Sequence, residues 1–145
     1  MQVSQYAYFG LFSRGISAAE MAAVLGIEPD EITVRGSRRT EPKVVPVRHC
    51  WRVVCREPGL SVDEQVAHIV ERLGPHTAAI AALVGRLGAE EDGGGAVLEV
   101  VRYFNEDGRG DTSNLFGWHL GRAVLDFLQA TGAVLDVDEY DMTPD

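Results

Sequence analysis

Lysine is nearly missing from this chain, which carries one lysine beside twelve arginines. With abundant Ala, Gly and Val, that bias points to a G+C-rich bacterial genome and says nothing of activity. Cysteine is scarce as well. Cys50 and Cys55 are five positions apart in one strand-like stretch, so they fall on opposite faces and do not readily pair. The start of the chain has no basic residues, and its apolar run is broken by Ser4, Gln5 and Gly10, unlike a secretory leader. Unpaired thiols and the lack of such a leader predict a cytoplasmic location. Long apolar runs are absent too, the longest being Ala78 to Val84, far short of the ~20 residues of a membrane span. Positive charge is the minority sign: 13 basic residues face 22 acidic ones, a net −9 that disfavours nucleic acid and anionic membranes as partners.

Signatures of chemistry are missing to the same degree. There is no nucleophile elbow, P-loop or dinucleotide fingerprint. Gly93-Gly94-Gly95 precedes a strand rather than the helix N-terminus that binds phosphate. His49, His68, His76 and His119 have no neighbours at metal-ligand spacing. The loop Asn105 to Asn114 resembles a calcium loop, but Arg109 and Phe116 occupy places that need an acceptor and a Glu. No catalytic residue, metal or cofactor is expected on these grounds.

What is present is a clear architecture. Tyr6 to Phe12 alternates as a strand with both faces apolar, Ala7, Phe9 and Leu11 on one side and Tyr6, Tyr8 and Phe12 on the other. Ser17 then opens a small amphipathic helix through a capping box with Glu20, and Gly26 and Pro29 close it. Ile32 to Arg35 reads as a short strand, and Ser37 to His49 as a loop or irregular edge, since Pro42 and Pro46 exclude a regular helix. His49 to Arg56 is a third strand with Trp51, Val53 and Cys55 on one face. A second box, Ser61/Glu64, starts a helix with Val62, Val66, Ile69, Val70 and Leu73 inward, broken at Gly74-Pro75. An Ala-rich helical segment follows, then an acidic glycine loop from Gly88 to Gly95 and a strong strand from Ala96 to Phe104. A last helix is expected from Trp118 to Ala130, with Leu120, Val124, Leu125 and Leu128 inward, stopped at Gly132. The final strand alternates Ala133, Leu135 and Val137 with Asp136 and Asp138 on a wet face.

The order β-α-β-β-α-β-α-β predicts one globular domain over residues 1–145. Its class is α+β: a two-layer sandwich, with a mixed sheet of about five strands and helices mainly on one face. A ferredoxin-like core plus an added helix–strand is the simplest topology. The chain also resembles a bacterial family, domain of unknown function 4279. The resemblance rests on Phe9-x-Leu11-Phe12-Ser13, the Ser17/Glu20 box, Leu25-Gly26-Ile27-Glu28-Pro29, Gly36, Trp51, the Ser61-led helix and Leu135-Asp136-Val137-Asp138-x-Tyr140. It departs from that pattern at Ile32, Thr33 and Val34, where the family leads one to expect an aromatic. The resemblance implies a stand-alone bacterial domain and brings no activity or catalytic residues with it.

Two clusters remain as candidate sites. Between Arg35 and Arg56 lie seven basic residues against Glu41 alone, +6 locally, leaving −15 for the rest. Arg52 and Arg56 share a strand face and can pair with the acidic last strand, whereas Arg38 and Arg39, with Arg35 beside them, have no packing duty. They are expected to contact an anionic group on a partner or ligand. The second cluster is an aromatic surface or pocket of Tyr6, Tyr8, Phe12 and Trp51, with core packing as the competing explanation. The C-terminal acids Asp136, Asp138, Glu139 and Asp141 read as a solvated strand face or as an acidic docking surface. The leading expectation is a non-catalytic module that binds one protein partner, of the immunity or accessory type. The alternative is a small-ligand-binding protein or enzyme with an aromatic-lined pocket and an Arg-rich anion-contacting loop.

Overall fold

The long strand β1 (Val3–Ser13) lies at the middle of the sheet, and a computed structural model describes every residue around it, from Met1 to Asp145. In chain order follow α1 (Ala18–Leu25), β2 (Glu31–Thr33), β3 (His49–Cys55) and α2 (Val62–Leu73). A 3-10 turn over Gly74–His76 leads into α3 (Thr77–Gly88), then come β4 (Gly95–Phe104), α4 (Arg122–Thr131) and β5 (Val134–Asp141). The sheet order is β2-β3-β1-β4-β5. The first four strands pair antiparallel, which is the ferredoxin-like arrangement, and β5 adds in parallel beside β4 through α4. The molecule is therefore the expected two-layer α+β sandwich with its helix–strand addition.

Register decides which side of each strand meets the helices. Leu11 lies opposite Trp51 and Ala96, Phe9 opposite Val53 and Leu98, and Ala7 opposite Cys55 and Val100. These side chains face Met21, Val66, Ile69, Leu73, Ile80 and Leu87 in one core of 21 buried residues. The Phe9 ring meets Phe127 of α4 at a centroid separation of 5.3 Å.

The helix starts separate two versions of one motif. Ser61 Oγ accepts from the Glu64 N–H at 3.2 Å and Glu64 Oε1 accepts from the Ser61 N–H at 3.2 Å, a complete box. At α1 only half forms: Ser17 Oγ accepts from Glu20 N–H at 3.1 Å, while the Glu20 carboxylate turns to Arg86 of α3 at 2.8 Å. Replacing Ser61 by Ala is expected to cost about 1 kcal/mol in urea denaturation, and Ser17 by Ala about the same or less.

The fourth helix differs from expectation. It begins at Arg122 rather than Trp118, and Val124, Phe127 and Thr131 point inward while Leu125 is exposed. Trp118 and Leu120 still pack against the core, but from an irregular segment before the helix. His119 N–H donates to Asp63 Oδ1 at 2.7 Å there, tying that segment to α2 instead of continuing a helix.

Candidate functional site

The other side of the same strands carries no helix. Because strands alternate, every residue beside a core position on β1, β3 and β4 projects from this open face. One row across it reads Val54, Tyr8, Glu99, Asp136, and the next reads Glu31, Arg52, Gly10, Val97, Val134. Further along, Tyr6 lies opposite Val101 and Asp138, and Tyr103 stacks on Tyr140 with centroids 5.2 Å apart.

Three arginines of β3 and its flanks lie over three aromatics of β1. Arg48 sits 4.2 Å from the Phe12 ring centroid, Arg52 5.1 Å from Tyr8, and Arg56 4.0 Å from Tyr6. Each partly desolvated stack contributes about 0.5–2 kcal/mol and leaves the guanidinium edge free to donate. Arg56 spends that edge on Glu31 Oε1 at 2.9 Å. Arg48 and Arg52 make no ion pair within the chain. Burial lifts the Tyr8 phenol above its ordinary pKa, with Arg52 pulling the other way, so the hydroxyl is neutral and able to donate near pH 7.

Gly10 forms the floor. A methyl there would meet the Tyr8 ring at 3.2 Å, so the absent side chain is what lets that ring lie along the strand. The result is an open groove of about 520 Å³, with Phe12, Arg48 and Arg52 on one flank and Glu99, Asp136 and Asp138 on the other. Arginine and carboxylate thus face each other across an apolar floor.

The acidic flank has its own geometry. One carboxylate oxygen each of Glu99, Asp136 and Asp138 lies within 4.8 Å of the other two. Glu99 is 5% exposed, and its Oε1 is withdrawn from solvent without any hydrogen-bond partner. Burial first, then a hydrogen bond from the protonated carboxyl to Asp138 and the charges of Asp138 and Asp136, raise its pKa from 4.5 to about 8. No arginine or histidine pairs with any of the three. These are the side chains of the chain best placed to hold a cation.

The expected site residues divide. Tyr6, Tyr8 and Phe12 are together on the open face, half-buried. Trp51 is not with them. It is fully buried on the helical side, opposite Leu11, with Nε1 donating to Ile27 O at 3.3 Å. Arg52 and Arg56 do not reach the acidic last strand, because β1 and β4 lie between β3 and β5. Of the last strand's acids, Glu139 pairs with an arginine, Arg102 of β4, at 3.1 Å. Arg102 is 3% exposed and spends its remaining donors on Gln5 Oε1, Asn114 O and Leu115 O, a clamp on the loop before α4.

The basic loop is a small bridged turn, with Arg38 and Arg39 N–H both donating to Val45 O. Arg35 Nε donates to Val47 O and Arg39 Nε to Glu41 O, while the Arg38 side chain has no partner in the chain. The loop springs from the end of the sheet where β3 begins opposite Ser13, the end at which Phe12 and Arg48 stack. Sequence reasoning missed Glu99, and it counted Arg48 within the basic segment without giving it a contact. The signal for Glu99 was a single acid in the otherwise apolar first half of GAVLEVVRYF.

An α+β sandwich with a ferredoxin-like core and one bare, charged sheet face is the class of protein these observations define. The chain belongs to the family described as domain of unknown function (DUF4279), whose model matches residues 2–142 of 145. Compared with curated proteins and with solved structures, it matches none. No helix is long and apolar enough to cross a membrane.

Proposed function

We propose that the protein is a binding module that engages one protein partner through the open sheet face. The observation that supports this most is the row of stacked pairs Arg48–Phe12, Arg52–Tyr8 and Arg56–Tyr6 on a face no helix covers. Tyr and Arg are the residue types that dominate binding hot spots, and stacking fixes them before a partner arrives, lowering the ordering cost. The acids across the groove give the surface two signs, which sets the orientation of a partner more than its affinity. Arg38, Arg39 and Arg35 extend the basic flank and contact an anionic group of the same partner; Arg38 has its whole guanidinium free for that contact.

A second reading has its own support. The groove's volume of about 520 Å³ falls in the range of small-molecule sites. A ligand with a carboxylate or phosphate at one end would meet Arg48 and Arg52.

The test is affinity capture from cells of the source organism with wild-type protein, with Tyr8→Ser/Arg52→Ser, and with Ala67→Glu on the opposite, helical side. A partner retained by the wild type and the Ala67 variant, and lost by the double variant, is expected. Retention by the double variant would refute the open face as the binding surface. With that partner in hand, Arg38→Ser/Arg39→Ser is expected to leave the melting temperature within about 2 °C, weaken binding and flatten its salt dependence. Unchanged affinity and salt slope would remove the loop from the interface.

A further inference from the structure

We infer that Glu99, Asp136 and Asp138 form a binding site for a hard divalent cation of the Mg²⁺, Mn²⁺ or Ca²⁺ class at the acidic wall of the groove. Three observations carry this, and none depends on the partner-binding reading. First, the fold gathers one oxygen from each carboxylate within 4.8 Å of the others, a spread that fits ligands sharing one ion at about 2.1–2.5 Å. Two of these acids come from the parallel strand β5 and one from β4, so strand register rather than loop conformation sets the geometry.

Second, Glu99 lines the groove while only 5% exposed, and its Oε1 is withdrawn from solvent with no donor to it. A buried acceptor without a donor is costly, and a cation would answer Oε1 together with the two neighbouring carboxylates. Its cross-strand neighbour Tyr8 and the flanking Val97 and Val101 would pack equally well against an apolar side chain. Third, no basic side chain of the protein pairs with the three carboxyl groups: Arg48 stacks on Phe12, Arg52 on Tyr8, Arg56 is held by Glu31, and Arg102 lies on the far side of the sheet.

All-oxygen, carboxylate-only ligation selects hard ions over Zn²⁺ or Cu²⁺, which favour imidazole and thiolate. Three protein ligands leave coordination positions open toward the groove, where water or an anionic group of a bound molecule completes the shell. Arg48 and Arg52 on the facing wall would then flank that same group.

The experiment is calorimetric titration and thermal melting of the metal-stripped full chain with Mg²⁺, Mn²⁺ and Ca²⁺ in turn, against NaCl of equal ionic strength. At least one ion is expected to bind with one-to-one stoichiometry. At a concentration a hundredfold above its Kd, that ion should raise the melting temperature by roughly 5–10 °C. Glu99→Gln, which keeps the shape of the side chain, and Asp136→Asn/Asp138→Asn should both remain folded and lose the heat and the shift. No heat and no shift with any of the three ions would overturn the inference. So would binding that survives in either variant, since that places the ion elsewhere. Loss of partner capture with cation binding intact would count against the proposed binding module and leave the cation site standing.

Discussion

In metal-free buffer, Glu99→Gln is expected to make the protein more stable, by on the order of a few kcal/mol above pH 8, and by progressively less as the pH falls toward 4.5. The Glu99 carboxyl holds its proton to about pH 8 because burial, then Asp138 and Asp136, disfavour its charge. In the unfolded chain it ionises near 4.5. Below that value both states are protonated and the group costs nothing. As pH rises from 4.5 through 8, the unfolded state gains a free carboxylate while the folded state resists ionising, so stability falls by up to about 1.4 kcal/mol per pH unit. Above 8 both states are charged and the deficit stays constant. Gln removes the titration but keeps the volume. Urea denaturation of both proteins at several pH values measures the difference directly. A difference that is flat with pH, or a less stable Gln variant at pH 9, would show that Glu99 is satisfied in a way its surroundings do not indicate.

The second large effect separates core from surface among the four aromatics. Trp51→Ala is expected to cost about 3–5 kcal/mol, because the indole is fully enclosed between the sheet and the helices and its cavity cannot close. The melting temperature should fall by roughly 10 °C or more. Tyr8→Ala should cost less than about 2 kcal/mol, since one side of the ring is open to the groove and the main loss is the stack with Arg52. If Tyr8→Ala unfolded the protein while Trp51→Ala left it stable, the assignment of faces would be wrong.

These two residues also show what could be read from the sequence. Strand positions, the starts of α1 and α2 and the β-α-β-β-α-β-α-β order follow from apolar period and capping residues, which are local. Alternation alone separated Tyr6, Tyr8 and Phe12 from Ala7, Phe9 and Leu11. It could not say which set shares a side with Trp51, because that depends on pairing between β1 and β3. The observed register puts Leu11 opposite Trp51 and sends the tryptophan to the core. The same register stacks Arg48, Arg52 and Arg56 over the aromatics of β1, and the strand order keeps them from the acidic β5. Glu99 meets Asp136 and Asp138 only because β5 adds in parallel at the sheet edge, a contact spanning more than thirty residues of chain. The start of α4 was misplaced for a different reason. The apolar spacing of Leu120 and Val124 fits a helix, but Asp63 captures the His119 N–H and holds the segment outside it.

The central claim, that the bare face of the sheet is where this protein binds, can be tested by placing a photo-crosslinking phenylalanine analogue at one position per face in cells of the source organism. The pair to compare is Tyr8, on the groove, and Ala67, exposed on α2. A discrete crosslinked species from position 8 and none from position 67 is the expected result. Adducts from position 67 alone, or from neither position in folded protein, would contradict it.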